Sequence, residues 1–231
     1  MVLGQTSLTH NGTTGEVASA QRLLCPTSIT HAGSRFIVVD SDGNRVLIWP
    51  QFPLTAAAQP TVVLGQSDLN TSSANSGGVS AGTLYSPQSA SSDGTILAVA
   101  DTANNRVLLW NSIPTQNRQP ADLVLGQANG GSTSSNSGGL SGSTLNSPQS
   151  VTTDGTRIAV ADTNNNRVTK FDATGTFLFS FGAYGTTDGL FSHPKDVAID
   201  KDGKTTIGEV KKGDKLAKGD VIADGASTDL G

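Results

Sequence analysis

One short sequence, Val-Leu-Gly-Gln, occurs three times at a constant spacing, and this repeat constrains the fold more than any other feature of the chain. The copies begin at Val2, Val63 and Val124, an offset of 61 residues each time. The same offset relates three prolines (Pro26, Pro87, Pro148) and an aromatic set (Trp49, Trp110, Phe171). Such a repeat predicts a fold in which each unit packs mainly against its neighbours.

Each unit contains four runs of strand length, separated by Asp, Asn and Gly residues that are typical of turns. In the first unit the runs are Thr27–Thr30, Phe36–Val39, Val46–Trp49 and Thr61–Leu64. They are rich in β-branched residues, and no comparable stretch shows helical periodicity. Four short strands per repeat predict an all-β chain built from four-stranded antiparallel propeller blades.

The turn between the second and third runs carries an aspartate, an asparagine and an arginine at the same positions in every unit. These residues are Asp40, Asn44, Arg45, Asp101, Asn105, Arg106, Asp162, Asn166 and Arg167. We expect each aspartate to accept backbone N–H groups and each arginine to brace its turn or pair with a nearby acid. The nine residues are therefore predicted to be structural rather than catalytic.

The sequences Val99–Val107 and Val160–Val168 resemble the NHL repeat, and Val39–Val46 is a shorter match. The segment Gly189–Asp200 resembles the start of a fourth NHL-type repeat. The resemblance covers residues 1–203 and implies a β-propeller, commonly six-bladed in this family. We divide the chain into blades at 2–66, 63–127 and 124–182, with the start of a fourth at 190–203.

A closed propeller needs about four to eight blades. We therefore expect an incomplete or open β-propeller of about three to four NHL-type blades, a piece of a larger NHL-repeat protein. The leading run Val2–Gln5 is predicted to be an outer strand. Ser67–Ser86 and Ala128–Ser147 lengthen the repeat and are predicted to be surface loops, serving either as polar spacers or as ligand loops.

The composition changes near the carboxyl end. Residues 1–169 hold seven arginines and no lysine, whereas Lys195–Lys218 holds seven lysines and no arginine. The segment Gly208–Gly231 resembles a short stretch of the bacterial RNA polymerase β subunit, most clearly at Val221–Asp229. We predict a boundary at residue 204 and a short β-hairpin tail after it, too short for a core of its own or for polymerase activity. A junction between unrelated sequences is the preferred explanation, and an insertion-derived fusion is the alternative.

Composition also bears on the class of function. A net charge of −4 and an aromatic content of 5% argue against a nucleic-acid partner. No apolar run approaches the roughly 20 residues of a membrane span, and no signal peptide is visible. The single cysteine, Cys25, is expected to be a small buried hydrophobe. The presence of only one cysteine, together with the Ser-, Thr- and Asn-rich loops, favours an extracytoplasmic bacterial protein.

Three motifs that suggest chemistry are each weak. Gly78–Gly82 matches the Gly-x-Ser-x-Gly elbow, which works only between a strand and a helix. Asp40–Asn44 resembles the start of a calcium loop but lacks its sixth-position glycine and distal glutamate. The histidines (His10, His31, His193) fall at unrelated positions of the repeat. We therefore expect no catalytic residue, no cofactor and no metal.

The sequence favours a non-catalytic β-propeller scaffold whose partner is a protein or a small ligand. One alternative is a propeller-type lyase or hydrolase, and another is a chimera that carries a piece of RNA polymerase. End blades lack a neighbour on one face. We therefore expect the chain to self-associate through these unpaired blades.

Overall fold

The computed structural model describes residues 3–4, 17–55, 57–185, 187, 189–200, 204–208 and 221–222. Within these residues the regular structure is β-strand apart from two short 3-10 turns, Thr102–Asn104 and Thr163–Asn165. No helix in the described part of the chain is long and apolar enough to cross a membrane. The predicted all-β class is confirmed.

The strands form separate antiparallel sheets, each assembled in chain order. The first sheet contains β1 (Pro26–Ala32), β2 (Arg35–Asp40), β3 (Arg45–Trp49) and β4 (Val62–Leu64). The second contains β5 (Ser89–Ser92), β6 (Leu97–Asp101), β7 (Arg106–Trp110) and β8 (Leu123–Leu125). The third contains β9 (Ser150–Thr153), β10 (Arg157–Asp162), β11 (Arg167–Asp172) and β12 (Phe177–Phe181). The fourth contains β13 (Asp196–Ile199), β14 (Thr205–Gly208) and β15 (Val221–Ile222).

Neighbouring sheets stack face to face, which explains why the central strands are continuous apolar runs. Ile37 and Val39 of the first sheet belong to the same buried cluster as Val99 and Trp110 of the second. The opposite face of the second sheet, which includes Ala98, packs against the third sheet in another buried cluster. A strand covered on both faces has no polar side, so the alternation that marks a half-exposed strand is absent.

The repeated Val-Leu-Gly-Gln motif has a packing role at each junction. Gly65 has φ +86°, and a Cβ there would lie 2.6 Å from the carbonyl oxygen of Asn44 and 2.9 Å from Cβ of Leu84. Glycine is therefore required. Leu84, 1% exposed, fills the junction between the first and second sheets, and Leu145 fills the next one. The two loops predicted to lie on the surface thus each contribute a core residue.

The predictions made for the two ends of the chain fall only partly on described residues. Of the predicted leading strand Val2–Gln5, only Leu3 and Gly4 are described, and both lie in a bend. The fourth sheet crosses residue 204, because Val197 of β13 pairs with Ile207 of β14. The Gly-Asp turns expected at 213–214 and 219–220 lie outside the described residues. The boundary at residue 204 stays a prediction.

Candidate functional site

The structure joins the repeated aspartate and arginine of each turn in an ion pair. In the second sheet, Nε of Arg106 lies 2.7 Å from Oδ2 of Asp101, and both side chains are 0% exposed. The two Nη groups of Arg106 donate to the carbonyl oxygens of Gly130 at 2.6 Å, Thr83 at 2.8 Å and Ser80 at 2.9 Å. A planar guanidinium suits this task because its five N–H groups point in fixed directions. One side chain therefore fastens the loops before and after its sheet.

The other two units repeat the arrangement. The Asp40–Arg45 ion pair is buried at 2.8 Å, and Arg45 donates to the carbonyl of Leu69. Asp162 and Arg167 pair at 2.8 Å, but the Arg167 side chain is 11% exposed. The recurring geometry supports an architectural role for these residues.

The second carboxylate oxygen of each aspartate is also engaged. Oδ1 of Asp40 accepts the N–H groups of Leu24 and Cys25 at 2.8 and 2.9 Å. Oδ1 of Asp101 accepts Tyr85 N–H at 2.8 Å. Burial raises the pKa of Asp101, while Arg106 and the hydrogen bonds to the carboxylate oppose the rise. In the calcium-like loop of the first sheet, protein donors therefore already occupy both oxygens of the leading aspartate.

The repeated asparagines link consecutive units. Asn44, Asn105 and Asn166 adopt left-handed backbone conformations, with φ of 48°, 54° and 55°. Their Oδ1 atoms accept backbone N–H groups of the next unit, from Ser86, Ser147 and His193, at 2.8 to 2.9 Å. An asparagine tolerates this conformation better than most residues. It therefore shapes the turn and also joins the next blade.

The remaining chemical candidates do not come together. Ser80 lies in a loop between β4 and β5, where its carbonyl accepts from Arg106. His31 lies in β1, His193 precedes β13, and His10 is outside the described residues. Among the described residues no three His, Cys, Asp or Glu side chains form a group that could hold a metal ion. Burial and the charges of Asp42 and Asp40 raise the pKa of the Cys25 thiol.

A polar concavity that the sequence analysis did not identify lies where the first strands of the four sheets begin. Its volume is about 460 Å³. Each sheet contributes two consecutive residues from the start of that strand: Thr27, Ser28, Gln88, Ser89, Gln149, Ser150, Lys195 and Asp196. We call it the inner mouth. The signal for it was present in the sequence, because these residues follow the repeated prolines.

Serine hydroxyls connect the first strands across the inner mouth. The N–H of Ala90 points to Oγ of Ser28 at 3.4 Å, and the N–H of Val151 to Oγ of Ser89 at 3.3 Å. Ser150 donates to Oδ1 of Asp196 at 2.8 Å. These contacts occupy polar groups on strand edges that would otherwise be available for pairing.

Several polar groups at the inner mouth remain available to a ligand. Within the described residues, no hydrogen bond engages the side chain of Thr27, Gln149 or Lys195. The groups are a hydroxyl, an amide and an ammonium, with the Asp196 carboxylate adjacent. Together they can donate and accept hydrogen bonds and can pair with either sign of charge.

No family model matches the chain. Solved structures match its fold: U3-55K has a TM-score of 0.52 at 10% identity over 83% of this chain and 47% of its own. The RRP9 WD40 repeats have a TM-score of 0.50 at 12% identity over 83% and 47%. Kuenenia stuttgartiensis hydrazine synthase has a TM-score of 0.48 at 16% identity over 85% and 45%.

The chain spans a little under half the length of these solved structures. At identities this low, the similarity to U3-55K and to the RRP9 WD40 repeats is evidence for the fold only. The stacked sheets are β-propeller blades, and the described part of the chain is an open array of four such sheets.

Proposed function

We propose that the chain is a non-catalytic binding module built from NHL-type blades, and that the inner mouth takes a polar peptide segment of a partner protein. The observation that carries the proposal is the convergence of polar groups from four consecutive blades on one concavity. A rigid scaffold that presents separate side chains to one site is a common basis for binding.

The chemistry of the inner mouth favours a peptide. The Gln149 amide can donate to a peptide carbonyl and accept from a peptide N–H at the same time. Lys195 offers a cation for a carboxylate, and Asp196 offers an anion for an ammonium group. Among the described residues that line the concavity, none is aromatic. Stacking on a sugar ring or a nucleobase is therefore not provided by these residues.

The test is selection from a phage-displayed peptide library against the whole chain, followed by fluorescence anisotropy with the selected peptide. We expect the double variant Gln149→Ala, Lys195→Ala to weaken binding by at least about tenfold, because it removes two of the side chains that line the site and have no partner within the described residues. Gln116→Ala is the matched control, since Gln116 is an exposed glutamine in the loop between β7 and β8.

Two results would contradict the proposal. One is the recovery of no peptide that binds the chain. The other is a selected peptide whose affinity is unchanged by the double variant, which would place binding elsewhere.

A further inference from the structure

The loop that joins β7 to β8 (residues 111–122) covers the outer edge of the first sheet. The N–H of Val63 in β4 donates to Oδ1 of Asn117 at 3.0 Å, and the carbonyl of Val63 accepts from the N–H of Arg118 at 2.8 Å. The guanidinium of Arg118 donates to the carbonyl oxygen of Ser76, in the loop that follows β4. One Asn-Arg pair therefore fills the groove between β4 and that loop.

The third sheet has no counterpart of this loop. Its strands β11 and β12 are joined by residues 173–176 only, so no segment of that connection can reach across the outer edge of the second sheet. Val124 has in β8 the register position that Val63 has in β4. Within the described residues, no hydrogen bond engages the N–H or the carbonyl of Val124. The outer edge of β8 therefore offers one donor and one acceptor for pairing.

A hollow of about 340 Å³ lies beside this edge. Its walls include Val124, Gln127, Ser137, Ser143 and Phe171, and we call it the edge groove. In the repeat, Ser137 is equivalent to the serine whose carbonyl accepts from the guanidinium at the first junction. The edge groove therefore contains the same backbone groups that bind the Asn-Arg pair one blade earlier.

We infer that the edge groove binds a turn of a partner protein that carries Asn-Arg. The N–H of Val124 donates to the asparagine side chain, and the carbonyl of Val124 accepts from the arginine N–H. The carbonyl of Ser137 accepts from the guanidinium, whose N–H groups are suited to carbonyl acceptors. In a second copy of this chain the loop 111–122 is already bound to its own first sheet, so the turn is assigned to a different protein.

One wall of the edge groove differs from its equivalent at the first junction. Ser143 replaces Gly82, and a Cβ at Gly82 would lie 2.8 Å from the carbonyl oxygen of Arg118. A turn bound in the edge groove therefore lies slightly further from the wall than Arg118 does, where the Ser143 hydroxyl can donate to its carbonyl. A larger side chain at position 143 should close the groove.

The bound conformation determines which probe to use. Arg118 has a φ of 52°, which a free arginine rarely adopts. A linear peptide would lose much conformational freedom on binding, whereas a cyclic peptide has lost part of it beforehand. For a head-to-tail cyclic peptide with the sequence of residues 113–121 we expect a dissociation constant on the order of 100 μM.

The test is an NMR titration of the ¹⁵N-labelled whole chain with this cyclic peptide. The amide signal of Val124 should shift and saturate, because its N–H acquires an acceptor. The amide signal of Val63 should stay in place, because its own loop already occupies the first groove. The same peptide with Arg118→Ala should bind at least about tenfold more weakly, because it lacks the guanidinium.

Two variants of the whole chain locate the binding site. Ser143→Leu should weaken binding at least about tenfold, whereas Ser135→Leu should leave it unchanged, since Ser135 is an exposed serine of the same loop that does not line the edge groove. The circular dichroism of both variants should match that of the parent.

The inference is overturned by the absence of saturable binding up to about 2 mM peptide, by equal binding of the Arg118→Ala peptide, or by binding that Ser143→Leu leaves intact. A shift of Val63 in place of Val124 would also overturn it. Failure of peptide binding at the inner mouth does not affect it, because the two surfaces share no residue.

Discussion

At the scale of single residues, the buried arginines depend on an exact match of donors and acceptors. Arg106 forms one ion pair and three bonds to carbonyl oxygens without exposure to solvent. A buried charge that loses its partner destabilises a protein far more than an exposed one does.

Arg106→Met should lower the free energy of unfolding by about 3–5 kcal/mol, because the carboxylate of Asp101 would remain buried without its cation. Urea denaturation measures the effect. Arg157→Met is the control, since the ion pair of Arg157 with Asp154 spans 3.5 Å with side chains 32% and 17% exposed. Loss of this partly exposed ion pair should lower the free energy of unfolding by at most about 1 kcal/mol. Equal costs for the two variants would show that burial does not determine the difference.

An exposed turn gives a pH-dependent prediction. The Thr174 hydroxyl, followed by the N–H of Thr176, lowers the pKa of the Asp172 carboxyl. A lowered pKa in the folded state means that this group stabilises the fold above its ordinary pKa of about 3.9, and that the contribution is lost as the pH falls through the lowered value.

Thr174→Ala should therefore raise the pKa of Asp172 towards its ordinary value, as followed by NMR titration of the carboxyl carbon. Thr115→Ala, an exposed threonine in another sheet's loop, should leave that titration unchanged. A pKa of Asp172 that Thr174→Ala leaves unmoved would refute the assignment.

At the scale of elements, the left-handed asparagines act both on the turn and on the junction between blades. The Asn105 amide accepts from Ser147 N–H and donates to the carbonyl of Thr133, each at 2.8 Å. Glycine at this position retains the backbone conformation and loses the hydrogen bonds. Alanine loses both.

We expect Asn105→Gly to cost about 1–2 kcal/mol and Asn105→Ala to cost about 1 kcal/mol more, measured by urea denaturation. The control pair is Asn70→Gly and Asn70→Ala, because Asn70 is exposed and lacks a positive φ. At position 70 the alanine variant should be no less stable than the glycine variant. If Asn105→Ala were no worse than Asn105→Gly, backbone conformation would not limit this site.

The strands were predictable from sequence, and the inner mouth was not. The run Phe36–Val39 predicted a strand that the structure extends by one residue at each end, to Arg35–Asp40. Apolar runs and turn residues are local signals, and the repeat supplied them three times. The serine contacts and the carbonyl partners of Arg106 depend on how sheets and loops meet, with partners 23 to 62 residues apart. The repeated Pro-Gln-Ser was visible, but its convergence on one concavity required the stacking geometry.

At the scale of the whole molecule, sheets differ in how many neighbours they have. The second sheet is covered on both faces by apolar clusters, whereas the fourth packs through a smaller cluster on one face. In stacked repeats, stability depends on the units and on their shared interfaces. Opening should therefore begin at the ends of the array.

Native-state hydrogen exchange should show the slowest amides in β6 and β7 and the fastest in β13 and β14. Trp110→Ala removes a side chain that is 1% exposed in the first junction. It should cost about 3–5 kcal/mol and speed exchange in the first and second sheets. The third sheet serves as the internal reference in the same experiment. Uniform protection in all four sheets would instead indicate one cooperative unit.

The constant offset between Val-Leu-Gly-Gln and its packing partner has a genetic consequence. Gly126 and Leu145 reproduce at the second junction the contact that Gly65 and Leu84 make at the first. A tandem duplication of 61 codons would therefore insert a blade whose two faces already fit its neighbours. Unequal recombination within such a gene can change the number of blades in one step, with no interface to be selected anew.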